Sequence, residues 1–263
     1  MQKRLHRPPR LAAEPERLDP QRIGTLASLC RYPVKSMAGE ELAVARVTFA
    51  GLIGDRVHAF VDQNNKSSFP WMTARQAHDW LLFRPRFLEP PTIEDEIPCA
   101  DRYTVEVVSP QGEKFTVGDA NFTQFLEQRY GRSLRFRFSE RSMTDGAPVS
   151  VIGFATIRAL SEETGLVLDP RRFRANFYVR WERDEPFFED QLVGRAVRIG
   201  EKVTIQFVKK DIRCVMITLD PDTATPSPIV LEKVTHQHDR CTGVYAAVLR
   251  EGVVRAGDPV YLT

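Results

Sequence analysis

The segment Lys209-Lys210-Asp211-Ile212-Arg213-Cys214 places a thiol next to several cations. Positive neighbours lower a thiol below its reference pKa of about 8.5 and favour the thiolate. A thiolate is the soft ligand that a high-valent metal or a cluster takes. A cysteine in an apolar strand also serves as a small core side chain, so the reading depends on what else the chain offers. A second segment, Arg172-Phe173-Arg174-Ala175-Asn176-Phe177-Tyr178-Val179, alternates in character. As a strand it would turn Phe173, Phe177, Val179 and the small Ala175 to one side, and Arg172, Arg174 and Asn176 to the other. Guanidinium forks grip phosphate bidentately, although a solvated strand face shows the same alternation. A third segment is Arg31-Tyr32-Pro33-Val34-Lys35-Ser36. Its proline ends or edges a strand, which leaves Lys35 and Ser36 in a loop to offer a charge and a hydroxyl. Gly54-Asp55-Arg56 offers a similar loop cation. His236-Gln237-His238-Asp239 has only i, i+2 spacing and reads as a polar loop. Ser142, Asp145 and the histidines form no nucleophile elbow or triad signature. The sequence contains neither a phosphate-binding P-loop nor a dinucleotide fingerprint.

The elements that must position these groups are mostly strands. Tyr103, Val105 and Val107 alternate ahead of the turn residues Ser109-Pro110-Gln111-Gly112, and Phe115 and Val117 complete a hairpin. Leu42, Val44, Val47 and Phe49 precede Gly51 and Gly54, and Val57, Ala59 and Val61 alternate beyond them. Asp119 is a candidate N-cap for a helix carrying Phe122, Phe125, Leu126 and Tyr130 on one face, stopped by Gly131. Leu134, Phe136 and Phe138 alternate with arginines as a half-buried strand. A second helix is expected over Phe154–Thr164, ended by Gly165. Later strands are expected over 173–181, 203–207, 212–219, 244–249 and 253–262. Irregular helix–strand alternation argues against a parallel doubly wound sheet. Short strands with Gly/Pro turns fit a β-barrel with added helices. The fold class expected is therefore mainly β with helices, α+β, and the proline- and acid-rich stretch 89–100 is a loop.

Composition excludes several classes. The chain has 263 residues, 42% of them hydrophobic, and a formal net charge of only +2. That length supports a full core without disulfide staples, and the charge argues against nucleic acid or an anionic membrane as partner. Cys30, Cys99, Cys214 and Cys241 form no C-x-x-C pair, which leaves zinc ribbons, haem attachment and ferredoxin-type clusters unsupported. Few, scattered cysteines suit a reducing compartment. No apolar run approaches the roughly 20 residues of a membrane helix. The basic, proline-bearing stretch 1–22 lacks a signal-peptide core and reads as a disordered tail. A cytoplasmic protein is expected.

In this order, the motifs resemble a known family. Arg31-Tyr32-Pro33-Val34-Lys35-Ser36, Gly51-Leu52-Ile53-Gly54-Asp55-Arg56 and Met72-Thr73-Ala74-Arg75-Gln76 resemble the N-terminal MOSC-associated barrel. Arg172-Phe173-Arg174-Ala175-Asn176 and Arg213-Cys214, followed by Asp220-Pro221-Asp222-Thr223, resemble the two signatures of the MOSC domain itself. Gly243-Val244-Tyr245 and Gly257-Asp258-Pro259-Val260 resemble its closing strands. The chain departs at Ala175, where proline is frequent, and at Ala224, where glycine is common. Within the family it is most similar to the mitochondrial amidoxime-reducing components and their bacterial counterparts.

The resemblance implies a MOSC β-barrel over 141–263 packed on an N-terminal β-barrel-like unit over 23–140. It implies a molybdenum cofactor (molybdopterin) with Cys214 as metal ligand and catalytic residue. Cofactor contacts fall on Lys35, Ser36, Arg56, Arg172, Arg174, Asn176, Arg213 and Tyr245, with Ser150 put forward by a looser match. The implied activity is reduction of N-hydroxylated compounds such as amidoximes and N-hydroxylated nucleobases. Electrons would come from a separate ferredoxin, flavodoxin or cytochrome b5-like protein with its reductase. Asp220 or Asp222 could assist proton delivery, although Asp-Pro-Asp is also turn chemistry. Two alternatives stand beside this reading. One is a sulfur carrier with a persulfide on Cys214; the other is a cofactor-binding protein without turnover.

Overall fold

The computed structural model describes residues 21–95 and 103–263. Most of the expected tail, the later part of the 89–100 loop and Cys99 lie outside the described residues.

Seven strands close a barrel, each next to the following one: Phe177–Trp181, Val149–Gly153, Cys241–Arg250, Val203–Ile212, Ala196–Ile199, Pro259–Leu262 and Arg22–Arg31, which pairs back onto Phe177–Trp181. Closure leaves no free sheet edge within the ring. The pairings are antiparallel except for Val149–Gly153 against Phe177–Trp181. That parallel pair needs a crossover, which includes the helix Phe154–Thr164. Alternation fills the barrel: Val203, Ile205 and Phe207 point inward with Leu26, Leu29, Phe177, Val179, Val197, Val244 and Val260. The strand Arg22–Arg31 lies between Phe177–Trp181 and Pro259–Leu262, both distant in sequence, so the barrel closes only through long-range pairing.

A second core gathers residues between 34 and 138 with Leu219. The strands Arg84–Phe87, Val105–Val108 and Lys114–Thr116 form one small sheet there, and His58–Asp62 pairs with Leu134–Phe138. The helix Ala120–Tyr130 lays Phe122 against Phe60 at 5.6 Å, edge to face, and Trp80 meets the same ring at 5.7 Å. The expected hairpin turn is present, with Gly112 at φ 91 and its N–H on the Ser109 carbonyl at 2.9 Å. Gly131 and Gly165 end their helices in the left-handed conformation, as expected of glycine at that position. No helix among the described residues is long and apolar enough to cross a membrane.

Four expectations are corrected. The strand expected over 173–181 begins only at Phe177. Asp169 caps the N–H of Arg171 at 2.8 Å and Pro170 opens a 3-10 turn over Pro170–Phe173, so local capping outcompetes the alternation. The stretch 212–219 is not a strand: it contains the 3-10 turn Val215–Thr218, and the preceding strand ends at Ile212. The stretch 253–262 holds two strands, Gly252–Arg255 and Pro259–Leu262, with Gly257 turning between them at φ 95. A helix, Ile229–Gln237, stands where no helix was expected; it buries Val230 and Val234 at i, i+4 spacing. His236 lies in its last turn and His238 pairs with Glu163 at 2.8 Å.

His58 is buried between Phe136 and Phe138, with centroids at 5.8 and 5.5 Å. Burial pushes its imidazole down to about 4, against the opposing contact with the Pro33 carbonyl. The folded state therefore favours neutral His58 and binds fewer protons than the unfolded chain. Its contribution is present above the unfolded pKa of about 6.5 and is lost as pH falls towards 4, by roughly 3 kcal/mol at most. Urea midpoints measured across this window should fall in the wild type and flatten in His58→Gln.

Candidate functional site

Three loops are held together by one buried carboxylate. Asp55 is fully buried and accepts hydrogen bonds from the Tyr32 N–H at 2.9 Å, the Ser142 hydroxyl at 3.1 Å and Arg56 Nη1 at 2.6 Å. Arg56 Nη2 then donates to the Arg174 carbonyl at 2.8 Å. This network ties the loop after Arg22–Arg31, the loop carrying Arg56, the 139–148 connection and the turn at Arg174. Ser36, Arg56 and Arg174 all adopt positive φ, at 65°, 50° and 51°. Left-handed backbone in non-glycine residues costs of order 1–3 kcal/mol and persists where surrounding structure enforces it. Here it occurs at three of the expected site residues.

Nine of the ten expected site residues line a single cleft: Lys35, Ser36, Arg56, Ser150, Arg172, Arg174, Arg213, Cys214 and Tyr245. Asn176 does not line it. It is fully buried behind Ser150, with Oδ1 accepting from both the Ser150 N–H and hydroxyl at 3.1 Å, and it donates to the Cys30 carbonyl at 3.2 Å. Its role here is to hold Ser150 and the two strands.

The cations of the cleft differ in what they already hold. Lys35 is buried, pairs with Asp145 at 2.5 Å and donates to the Met143 carbonyl at 2.7 Å. Burial pushes its ammonium below the usual lysine range, with Asp145 opposing. Arg172 donates to the Thr218 carbonyl at 2.6 Å and reaches Asp220 at 3.2 Å, but its Nε is buried without a partner. Arg174 lies over the Tyr32 ring at 4.3 Å, and its buried Nη2 has no partner. Burial pushes Arg174 down to about 10 against the tyrosine, and the charge of Arg56 adds to the effect. Buried donors left unpaired beside concentrated positive charge are suited to an anion.

Cys214 is half-buried between the strand Val203–Ile212 and the turn Val215–Thr218. The cation on its sulfur is not one of those expected from its neighbours in sequence. Arg213 turns inward, donating to the carbonyls of Thr242 at 2.7 Å and Phe173 at 2.8 Å and pairing with Asp211 at 2.9 Å. Lys210 pairs with Asp190, and Lys209 lies over the Tyr245 ring. Arg75 instead donates from Nε to Cys214 Sγ at 3.3 Å and reaches Asp145 at 3.3 Å through Nη2. Sequence reasoning missed Arg75, Asp145 and Asp211 as parts of the cleft. Arg75 stood inside a motif already noted; Asp145 and Asp211 carried no signal of their own.

Asp220 and Asp222 do not line the cleft. Asp220 accepts from the N–H groups of Asp222 and Thr223, both at 3.0 Å, and Asp222 pairs with Arg171 at 2.6 Å. Both belong to a turn in which Ala224 takes φ 57, a position where glycine would relax without strain. Among the described residues, no group of three His, Cys, Asp or Glu side chains could hold a metal.

Residues 139–261 match the MOSC domain, and residues 23–129 match the MOSC N-terminal beta barrel domain. Mitochondrial amidoxime reducing component 2 of Homo sapiens is 22% identical over 292 residues, covering 92% of this chain and 84% of that protein. Mitochondrial amidoxime-reducing component 1 of Homo sapiens is 24% identical over 296 residues, with the same coverage. A crystal structure of the YuaD protein from Bacillus subtilis covers 91% of this chain and 95% of that one, with a TM-score of 0.46 at 12% identity.

Proposed function

Because the chain belongs to the MOSC family, we propose that it binds a molybdenum cofactor in this cleft and reduces N-hydroxylated compounds with electrons from a separate protein. The observation that carries the reading is that Cys214, Arg172 and Arg174 line one cleft and that both arginines carry a buried donor without a partner. The names of the two human relatives, amidoxime-reducing components, support the choice of substrate class.

The donor set fits the group. A molybdopterin offers a phosphate, which suits Arg174, Arg172 and Lys35 with the hydroxyl of Ser36. Its metal takes a soft protein ligand, which Cys214 supplies. When bound, the cofactor supplies a centre that exchanges two electrons and accepts oxygen. The protein does the rest. Arg75 fixes the position of Sγ, Asp145 holds Lys35 and Arg75 at the mouth, and the Asp55–Arg56 network keeps the loops from relaxing. Overall, the N–O bond breaks, two electrons and two protons are taken up, and water leaves.

Arg174→Ala should weaken cofactor retention, because the phosphate loses a charge-assisted partner worth about 1.5–3 kcal/mol. Arg180 is an apt control: it is exposed, lies over the Phe154 ring at 5.2 Å and does not line the cleft. Arg180→Ala should keep its cofactor, as read by pterin fluorescence after denaturation. Equal retention in the two variants would remove the phosphate assignment. Activity is tested by benzamidoxime reduction with a chemically reduced viologen dye. Product amidine is expected from the loaded wild type, and no product from protein with full cofactor would refute the function.

A further inference from the structure

The helix Ile229–Gln237 buries Val230 and Val234 in a core of their own with Ile157 and Leu160. A second face is left over. Pro228, Leu231, Glu232, Thr235 and His236 recur at i, i+3, i+4, i+7 and i+8, one stripe of a helix, and they line an open groove of about 540 Å³. The turn Val215–Thr218 gives it another wall through Val215 and Thr218. These walls are tied together: the Thr218 hydroxyl donates to the Val215 carbonyl at 2.7 Å, the Ser227 N–H donates to the Thr218 carbonyl at 2.8 Å, and Leu219 bridges to Pro226. The groove is thus preformed, with Val215, Pro226, Pro228 and Leu231 as apolar surface and the exposed His78, Glu232 and His236 as polar groups. Groove and cleft adjoin, because the same two segments line both. Directly after Cys214, the turn gives Met216 and Ile217 to the cleft and Val215 and Thr218 to the groove. Arg75, whose Nε is 3.3 Å from the Cys214 sulfur, lines the cleft, and His78, three residues on, lines the groove.

We propose that this groove is a substrate subsite that takes the apolar body, aryl or alkyl, of the N-hydroxylated compound, given the reductase reading above. The N-hydroxyl end then points past Val215 towards Cys214. The cleft cannot serve the apolar body equally well: Lys35, Arg56, Arg172, Arg174 and Arg213 line it, and apolar surface laid on charged groups strips their solvation without returning a partner. The groove volume falls within the roughly 300–1,000 Å³ of small-molecule pockets, which are apolar with a few polar groups to fix orientation. A docked protein would instead need a contact spread over a wider surface. The consequence is selectivity: compounds with an apolar body are preferred over small ones that carry the same reactive group.

The test compares benzamidoxime with acetamidoxime, which share the reacting group and differ in a phenyl or a methyl body. Full-length, cofactor-loaded wild type should show a KM for benzamidoxime about 10-fold below that for acetamidoxime, the effect of burying a phenyl group. Thr235 is exposed on the helix, so Thr235→Trp fills the groove without touching the core. This variant should raise the benzamidoxime KM about 10-fold and leave the acetamidoxime KM, both kcat values and the molybdenum content unchanged. A second measurement needs no turnover. Benzamidoxime added to unloaded wild type should shift the imidazole NMR resonances of His78 and His236, and leave those of His58 and His238, which do not line the groove. Thr235→Trp should abolish these shifts.

Equal changes of KM for the two amidoximes overturn the proposal, and so do unmoved resonances of His78 and His236 in the wild type. It is also overturned if Thr235→Trp keeps both KM values with reduced viologen dye but needs more of a protein electron donor to reach half its rate, since the groove would then serve the donor. Failure of the reductase reading itself looks different: the loaded wild type makes no product while benzamidoxime still shifts both histidines, which removes the reaction and leaves the groove as a site for apolar ligands.

Discussion

Cys214→Ser is expected to reduce N-hydroxy reduction to background while leaving the chain folded. A serine oxygen is nearly isosteric with the sulfur but is harder and far less acidic, so it cannot replace a thiolate as metal ligand. In the proposed site other residues of the cleft, Arg172, Arg174 and Lys35, would hold the phosphate, and they should still recognise the cofactor. Folding should change little, since Cys214 is half-buried and Arg75 Nε can donate to oxygen as it does to sulfur. The other cysteines supply the contrast. Cys30 lies outside the cleft, and burial pushes its thiol up to about 12. Cys241 lies across from Ile212 in the barrel and also outside the cleft. Cys30→Ser and Cys241→Ser should keep their activity, measured as amidine formed per bound molybdenum. Full activity in Cys214→Ser would end the mechanism.

A second large effect concerns the electron source. The loaded protein should turn over with reduced viologen dye, or with a reconstituted ferredoxin, flavodoxin or cytochrome b5-like chain, and stay inactive with NADH or NADPH alone. Breaking an N–O bond takes two electrons each turnover. The sequence has neither a dinucleotide fingerprint nor the cysteine spacing of an iron–sulfur cluster. Electron-transfer encounters are small and transient, so a donor needs no large apolar patch to dock. Robust NADH-driven turnover by the purified chain would show a nicotinamide site in the molecule.

Much of the site could be read before the structure, because its residues sit in ordered motifs. Lys35, Arg56, Arg174 and Cys214 are separated widely in sequence and meet in one cleft. Their backbone geometry was less legible. Arg172 and Arg174 alternate with apolar residues as a strand would, yet Asp169 and Pro170 impose a turn, and Arg174 reaches the cleft from left-handed backbone. Asn176 shares their spacing and points into the core. The partner of Cys214 was the least legible. Adjacent cations at Arg213, Lys209 and Lys210 are engaged elsewhere, and the guanidinium on the sulfur comes from Arg75, 139 residues away. Sequence proximity is a poor guide wherever a fold pairs its first strand with its last, as this barrel does.

The most direct test is X-ray absorption at the molybdenum edge on wild type and Cys214→Ser, both purified from a cofactor-competent host at matched concentration. A molybdenum edge is predicted in the wild type, with one sulfur neighbour fewer around the metal in Cys214→Ser. The account is contradicted by an identical sulfur shell in the two proteins, or by wild type with no molybdenum edge and cyanide-labile sulfur on Cys214, which is the signature of a sulfur carrier.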